Sequence, residues 1–156
     1  MMKESLLDGK TVLAVDDEPD VLQVLREEIA NASPSCRFDE ASTYDEAARK
    51  LQSGTYDVVI LDIMGVRGFD LLEMAVKRNM KVVMLTAHAL NSDALKRAYD
   101  MKARAYLPKD KLGEIVPFLK EVLSSGFESG WKRLIKQLEG FFDELFEPDW
   151  RKKIGY

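Results

Sequence analysis

Five polar side chains stand where short apolar runs stop. Asp16 and Asp17 end the run from Thr11 to Val15, and Asp62 ends Val58-Val59-Ile60-Leu61. Thr86 closes the run from Lys81, and Lys109 lies just past Ala105 to Leu107. Gathered in one crevice, three carboxylates, a hydroxyl and an ammonium form a set suited to phosphoryl transfer. Carboxylates brought within a few ångströms repel one another and retain protons unless a cation is supplied. Mg²⁺ fits that need, being a hard ion usually held by one or two carboxylates, waters and a phosphoryl group. With the charge balanced, Asp62 can stay ionised and act as a nucleophile, as carboxylates do in forming aspartyl phosphates. Lys109 and Thr86 would then neutralise or hydrogen-bond the transferred oxygens. Taken singly, each residue has a plainer use. An Asp at a strand end is more often a cap or turn residue, a Lys is mostly solvated, and Thr is a strand former. Their common position at strand ends favours the chemical reading.

Those positions presuppose a particular scaffold. Short β-branched runs alternate with amphipathic stretches, the pattern of βαβ units around a parallel sheet. Pro19 suits the first turn of a helix through Asn31, with Leu22, Leu25 and Ile29 on one face. Cys36 to Glu40 reads as a weaker strand, and Tyr44 to Ser53 as a helix with Ala47, Ala48 and Leu51 inward and Gly54 at its end. Helices are also predicted over Phe69 to Arg78, Asn91 to Met101 and Leu112 to Ser125. Right-handed crossovers make all five strands run the same way, so their carboxyl ends, and the five polar residues, share one edge.

The chain has 156 residues, 23 Lys+Arg against 27 Asp+Glu, and a formal charge of −4. That balance argues against a surface built to bind phosphate backbones. A hydrophobic share of 46% allows a core. One cysteine, Cys36, and one histidine, His88, leave no Cys/His cluster for zinc and no internal disulfide. The N-terminal MMKESLLDGK lacks a signal-peptide core and the apolar runs are too short to span a bilayer, so the expected location is cytoplasmic, away from membranes.

With the motifs TVLAVDDEPD, DVVILDIM, KVVMLTAH and AYLPKD, the chain resembles the receiver domain of bacterial two-component response regulators over roughly residues 9 to 125. The resemblance implies a flavodoxin-like, doubly wound α/β fold with five parallel strands in the order 2-1-3-4-5, an order for which a receiver protein is itself a known example. It implies that Asp62 is the phosphoacceptor, that Asp16, Asp17, Asp62 and the Met64 backbone carbonyl hold Mg²⁺, and that Lys109 and Thr86 assist. It further makes Thr86 and Tyr106 a switch pair. His88, with Met64, would tune phosphoryl lifetime, an exposed loop histidine being an equal reading of His88. The chain departs from the family twice. The loop Ile63-Met64-Gly65-Val66-Arg67-Gly68 is about two residues short, without the usual proline, and Asp110 follows Lys109 where the family commonly has a cis proline, so a trans Lys109-Asp110 bond is expected.

Residues 1 to 125 are read as the receiver domain and 126 to 156 as an amphipathic helical extension, joined by a short hinge bracketed by Gly126 and Gly130. In the extension Trp131, Leu134, Ile135, Leu138, Phe141, Phe142, Leu145 and Phe146 recur at helical spacing, and Pro148 should end the helix. Six basic and six acidic residues leave this segment neutral. It is too short for a helix-turn-helix module, so no direct DNA binding is expected. Its stripe needs a partner, because a lone helix of this length is marginal in water; the partner is expected to be its own receiver first, a second copy next, and another protein or a membrane surface third, the membrane being weakest because the polar face is charge-balanced.

The expected function is phosphorelay signalling. The chain takes a phosphoryl group from a sensor histidine kinase or phosphotransfer protein and switches a contact with a downstream protein, with homodimerisation through the fourth and fifth helices or the extension as a further expectation. Any enzymatic character is confined to its own phosphorylation and dephosphorylation. A phosphorylation-independent scaffold stays open as the alternative. An aspartate-nucleophile hydrolase lacks its Asp-x-Asp around Asp62, and a flavin-binding domain would set its phosphate against three carboxylates.

Overall fold

The computed structural model describes residues 5–87 and 92–156, so His88 lies outside the described residues. The apolar runs become five strands, β1 (Thr11–Val15), β2 (Arg37–Ala41), β3 (Val58–Asp62), β4 (Lys81–Thr86) and β5 (Ala105–Pro108), in one sheet ordered β2-β1-β3-β4-β5 with every neighbouring pair parallel. This is the expected order. β3 is buried throughout, as a strand covered on both faces must be. β2 lies at the edge and leaves Arg37 exposed, which explains its weak apolar signal.

The crossovers supply α1 (Pro19–Ala32), α2 (Tyr44–Ser53), α3 (Gly68–Lys77), α4 (Asp93–Asp100) and α5 (Ile115–Ser124). Pro19 takes the first turn of α1, whose Val21, Leu22, Leu25 and Ile29 are buried. Thr43 caps α2 by accepting from the Glu46 N–H at 3.2 Å, while the Glu46 carboxylate reaches back to the Ser42 N–H at 2.9 Å. α1 packs with α5, and α2 with α3. The fifth helix starts later than its pattern predicts. Lys109–Glu114, with Gly113 inside, forms a 3₁₀ turn first. The Lys109-Asp110 bond is trans, no cis bond occurring among the described residues.

Beyond α5 the chain forms two helices where the periodicity predicted one, α6 (Phe127–Leu145) and α7 (Trp150–Ile154). The expected hinge is also narrower. Gly126 is the N-cap of α6 and Gly130 lies within the helix, so only Ser125 and Gly126 separate α5 from α6. Trp131, Leu134, Ile135, Leu138, Phe142 and Phe146 are buried, whereas Leu145, predicted inward, is exposed at the last turn. The stripe packs on the chain's own α/β body: the Trp131 indole N–H donates to the Ala103 carbonyl at 2.8 Å, and the Phe142 ring lies 6.3 Å from that of Tyr106 on β5. Pro148 separates α6 from the short α7, which returns to α4. No helix among the described residues is long and apolar enough to cross a membrane.

Candidate functional site

Strand register assembles the site. Val15 pairs with Leu61, which sets Asp16 beside Asp62 at the next step. Asp62 pairs with Leu85, placing Thr86 one residue beyond, and Thr86 pairs with Pro108, placing Lys109 one residue beyond that. A one-residue slip at any of these ladders would turn the side chains to the opposite face.

Asp16 is fully buried and Asp62 is 4% exposed, while Asp17 is exposed at the rim. Carboxylate oxygens of Asp16, Asp17 and Asp62 lie within 4.8 Å of one another. The Lys109 ammonium sits 2.9 Å from Asp16 Oδ2, 3.2 Å from Asp62 Oδ1 and 3.2 Å from Glu18 Oε1. Burial alone would lower the Lys109 pKa. Its contacts with Asp16, Asp62 and Glu18 outweigh that and raise it above the ordinary lysine value. Burial holds the Asp16 carboxyl above the ordinary Asp value; the Glu18 N–H, 2.9 Å from Oδ1, and Lys109 pull it back, and the charge of Asp62 adds to the rise.

The short loop after β3 closes against this cluster. The Gly65 N–H donates to Asp62 Oδ2 at 3.1 Å. A Cβ on Gly65 would stand 2.3 Å from the Asp17 carboxyl, and one on Gly68 would stand 2.2 Å from the Asp62 carbonyl oxygen. Arg67 adopts the left-handed conformation (φ 56°) that brings Gly68 into α3, and its guanidinium stacks 4.2 Å from the Tyr44 ring centroid. Met64, at the loop apex, has its side chain turned to solvent, 82% exposed.

The donor set suits a hard divalent ion. Asp16 Oδ2 is buried and accepts no well-directed hydrogen bond beyond its ion pair with Lys109, and the clustered carboxylates carry more negative charge than one ammonium offsets. Thr86 is buried, 5% exposed, at the end of β4. Tyr106 is fully buried, and burial raises its pKa against a lesser, opposing interaction with the Thr86 side chain.

The sequence model of the response regulator receiver domain matches residues 12–119. The chain belongs to the response regulator receiver domain family. The receiver is 30% identical over 125 residues to the regulatory protein VanRB of Enterococcus faecalis (strain ATCC 700802 / V583), covering 78% of this chain and 52% of that protein. It is 32% identical over 122 residues to the sensory transduction protein LytR of Staphylococcus haemolyticus (strain JCSC1435), covering 74% and 47%. The chain thus spans about half the length of these curated relatives. Among solved structures, the response regulator TrrA of Thermotoga maritima in complex with Mg(2+)-BeF superposes with a TM-score of 0.61 at 30% identity, covering 72% of this chain and 98% of that one.

Of the residues singled out in the sequence, the receiver brings together Asp16, Asp17, Asp62 and Lys109, with Thr86 at the adjoining strand end and Tyr106 behind it. Two participants escaped the sequence reading. Glu18 is the third carboxylate on Lys109, and its place one residue before Pro19 in Asp16-Asp17-Glu18-Pro19 is the one signal that could have suggested it. Gly65 matters through close approach, which one sequence does not record.

Proposed function

We propose that this receiver accepts a phosphoryl group on Asp62 from a phosphohistidine of a sensor kinase or phosphotransfer protein, in an Mg²⁺-dependent reaction, and relays the change to a protein partner. The observation that carries the reading is the trio Asp16, Asp17 and Asp62, with oxygens within 4.8 Å, meeting the Lys109 ammonium 3.2 Å from Asp62. Asp16, Asp17, Asp62 and the Met64 carbonyl would hold Mg²⁺, which supplies charge neutralisation for the incoming phosphoryl oxygens. Asp62 Oδ attacks phosphorus as the N–P bond of a phosphohistidine protonated on its other ring nitrogen breaks; the bonding pair goes to the departing nitrogen, leaving an aspartyl phosphate and a neutral imidazole. Asp62 Oδ1 contacts Lys109 and Oδ2 accepts the Gly65 N–H, so the carboxylate is oriented before reaction. Lys109 and the Thr86 hydroxyl stabilise the charge gathering on the transferred group. Thr86 and Tyr106 then shift a two-state equilibrium that reaches the face of α4, β5 and α5 and the C-terminal helices packed on it.

Incubation with acetyl phosphate and Mg²⁺ tests this directly. The expected result is one added phosphoryl group by intact mass, absent without Mg²⁺ and absent in Asp62→Asn. A chain that stays unmodified under these conditions would favour the phosphorylation-independent scaffold.

A further inference from the structure

The C-terminal segment is seated on the face formed by α4, β5 and α5. α6 crosses β5, and its Arg133 pairs with Glu121 of α5 at 2.7 Å. On the α4 side, Tyr99 donates to Glu128 at 2.8 Å and its ring lies 5.3 Å from Trp131. Two contacts reach further in. Phe142 meets Tyr106 of β5, and Glu147, just past α6, accepts from both the backbone N–H (3.2 Å) and the hydroxyl of Ser92, the buried residue that starts α4.

Register places Tyr106 between the reaction site and this segment. Met84 pairs with Tyr106 and Thr86 with Pro108. Thr86 and Tyr106 are therefore diagonal neighbours on one face of the sheet. Thr86 borders the Tyr106 side chain on the Asp62 side, and Phe142 closes it on the other. Tyr106 has no exposed surface, and its hydroxyl makes no hydrogen bond of full geometry. The Phe142 ring packs against that of Tyr106, 6.3 Å between centroids, and so contributes to its complete burial. An inward settling needs Thr86 to give way, and a phosphoryl group on Asp62 draws the Thr86 hydroxyl off in that direction by offering a charged acceptor.

We infer that α6 and α7 are a built-in effector of the phosphorylation site: the docked segment holds Tyr106 inward and ties down the start of α4, so docking and phosphorylation at Asp62 favour each other. The inference rests on Asp62 as phosphoacceptor. Coupling of this kind is reciprocal, so whatever loosens the segment must weaken the site by the same factor.

Both tryptophans of the chain, Trp131 and Trp150, lie in this segment and both are buried. Acrylamide quenching of the full-length protein therefore reads docking, and titration with beryllofluoride in the presence of Mg²⁺ reads the site. Phe142→Ala removes the Tyr106 contact. Glu147→Gln weakens the Ser92 anchor without touching the core and carries the test should Phe142→Ala fail to fold. The expected result is more quenching in the variants and a loss of beryllofluoride affinity of about 5-fold or more, with less quenching of the wild type once beryllofluoride is bound. Increased quenching with unchanged beryllofluoride affinity would make the segment a passive cover and overturn the coupling. Unchanged quenching in both variants would overturn the assigned contacts. Absence of beryllofluoride binding in the wild type itself would instead overturn the phosphoacceptor reading.

Discussion

Gly65→Ala should separate the site from the fold. The new methyl carbon would stand 2.3 Å from the Cγ and both oxygens of Asp17. Non-bonded carbons settle near 3.5–4.0 Å, so a shift of about 1 Å or more is required. The atoms in the way belong to the far end of an exposed side chain, and Gly65 does not have the positive φ that would strain an alanine. Asp17 therefore swings out while the backbone stays, and the cost to folding is about 0.5 kcal/mol or less. Mg²⁺ is far less forgiving, because it demands near-octahedral oxygens at about 2.0–2.1 Å. Mispositioning one carboxylate should weaken Mg²⁺ binding by about 10- to 100-fold, the range seen when groups that orient metal ligands are lost, equivalent to about 1.4–2.8 kcal/mol. Calorimetric titration with Mg²⁺ and urea unfolding of the metal-free protein measure the two effects separately. Gly68→Ala is the control with the opposite signature. Its methyl meets the Asp62 carbonyl oxygen at 2.2 Å and Ile63 Cα at 2.9 Å, backbone that cannot step aside, so unfolding free energy should fall by about 1–3 kcal/mol. Wild-type Mg²⁺ affinity in Gly65→Ala, or a loss of stability there as large as in Gly68→Ala, would refute the reasoning.

Lys109→Met leaves Asp16 and Asp62 buried without their cation. Metal-free stability should fall by about 3 kcal/mol, and saturating Mg²⁺ should raise the melting temperature more in the variant than in the wild type. Tyr56 donates to Asp39 at 2.8 Å, and its pKa, raised first by burial and then by that bond, is pushed up to about 12. The neutral phenol is thus favoured in the fold. Its stabilisation is complete below the unfolded pKa near 10 and is lost as pH rises toward 12. Tyr56→Phe should cost about 1 kcal/mol at pH 8, and denaturant titrations toward alkaline pH should show that difference shrinking. Trp131→Phe removes the indole donor to the Ala103 carbonyl and should lower unfolding free energy by about 1–2 kcal/mol, with the far-ultraviolet circular dichroism unchanged.

The sheet was legible because its signal is local. β1, β3 and β4 are nearly all apolar, each closed by a polar residue, and strand direction follows from the crossovers, so Asp16, Asp62, Thr86 and Lys109 could be brought to one edge before any distance was known. What escaped depends on close approach or on a tertiary partner. The left-handed Arg67 that closes the short loop has no propensity signal, since arginine seldom adopts that conformation. Leu145 fits the apolar period of α6 but falls in its last turn, past the end of the covering surface. α7 was missed because five residues rich in charge carry no readable period. Its hold is Trp150, fully buried with its indole N–H donated to Asp143 at 2.9 Å, and Arg151 on Asp143 and Glu139. Within the basic run Arg151-Lys152-Lys153, Arg151 ties α7 to α6 through these ion pairs, while Lys152 and Lys153 are exposed.

The site and the C-terminal segment are tied together by the sheet's own alternation. Asp62 ends β3, Thr86 ends the neighbouring β4, and Tyr106 lies diagonally across on β5, so two side chains, Thr86 and Tyr106, span the path from Asp62 to Phe142. Metal-free, the Asp62 end of this path is under electrostatic stress, for one ammonium contacts three carboxylates while a fourth, Asp17, stands beside them. In the proposed reaction a cation would relieve that repulsion locally and a phosphoryl group would engage Thr86, whereas the aromatic end is set by close packing. If Asp62 is the phosphoacceptor, as proposed, the chemistry and the cover meet at a single pair of residues, and Thr86 is where a change of charge at Asp62 would become a change of packing at Tyr106.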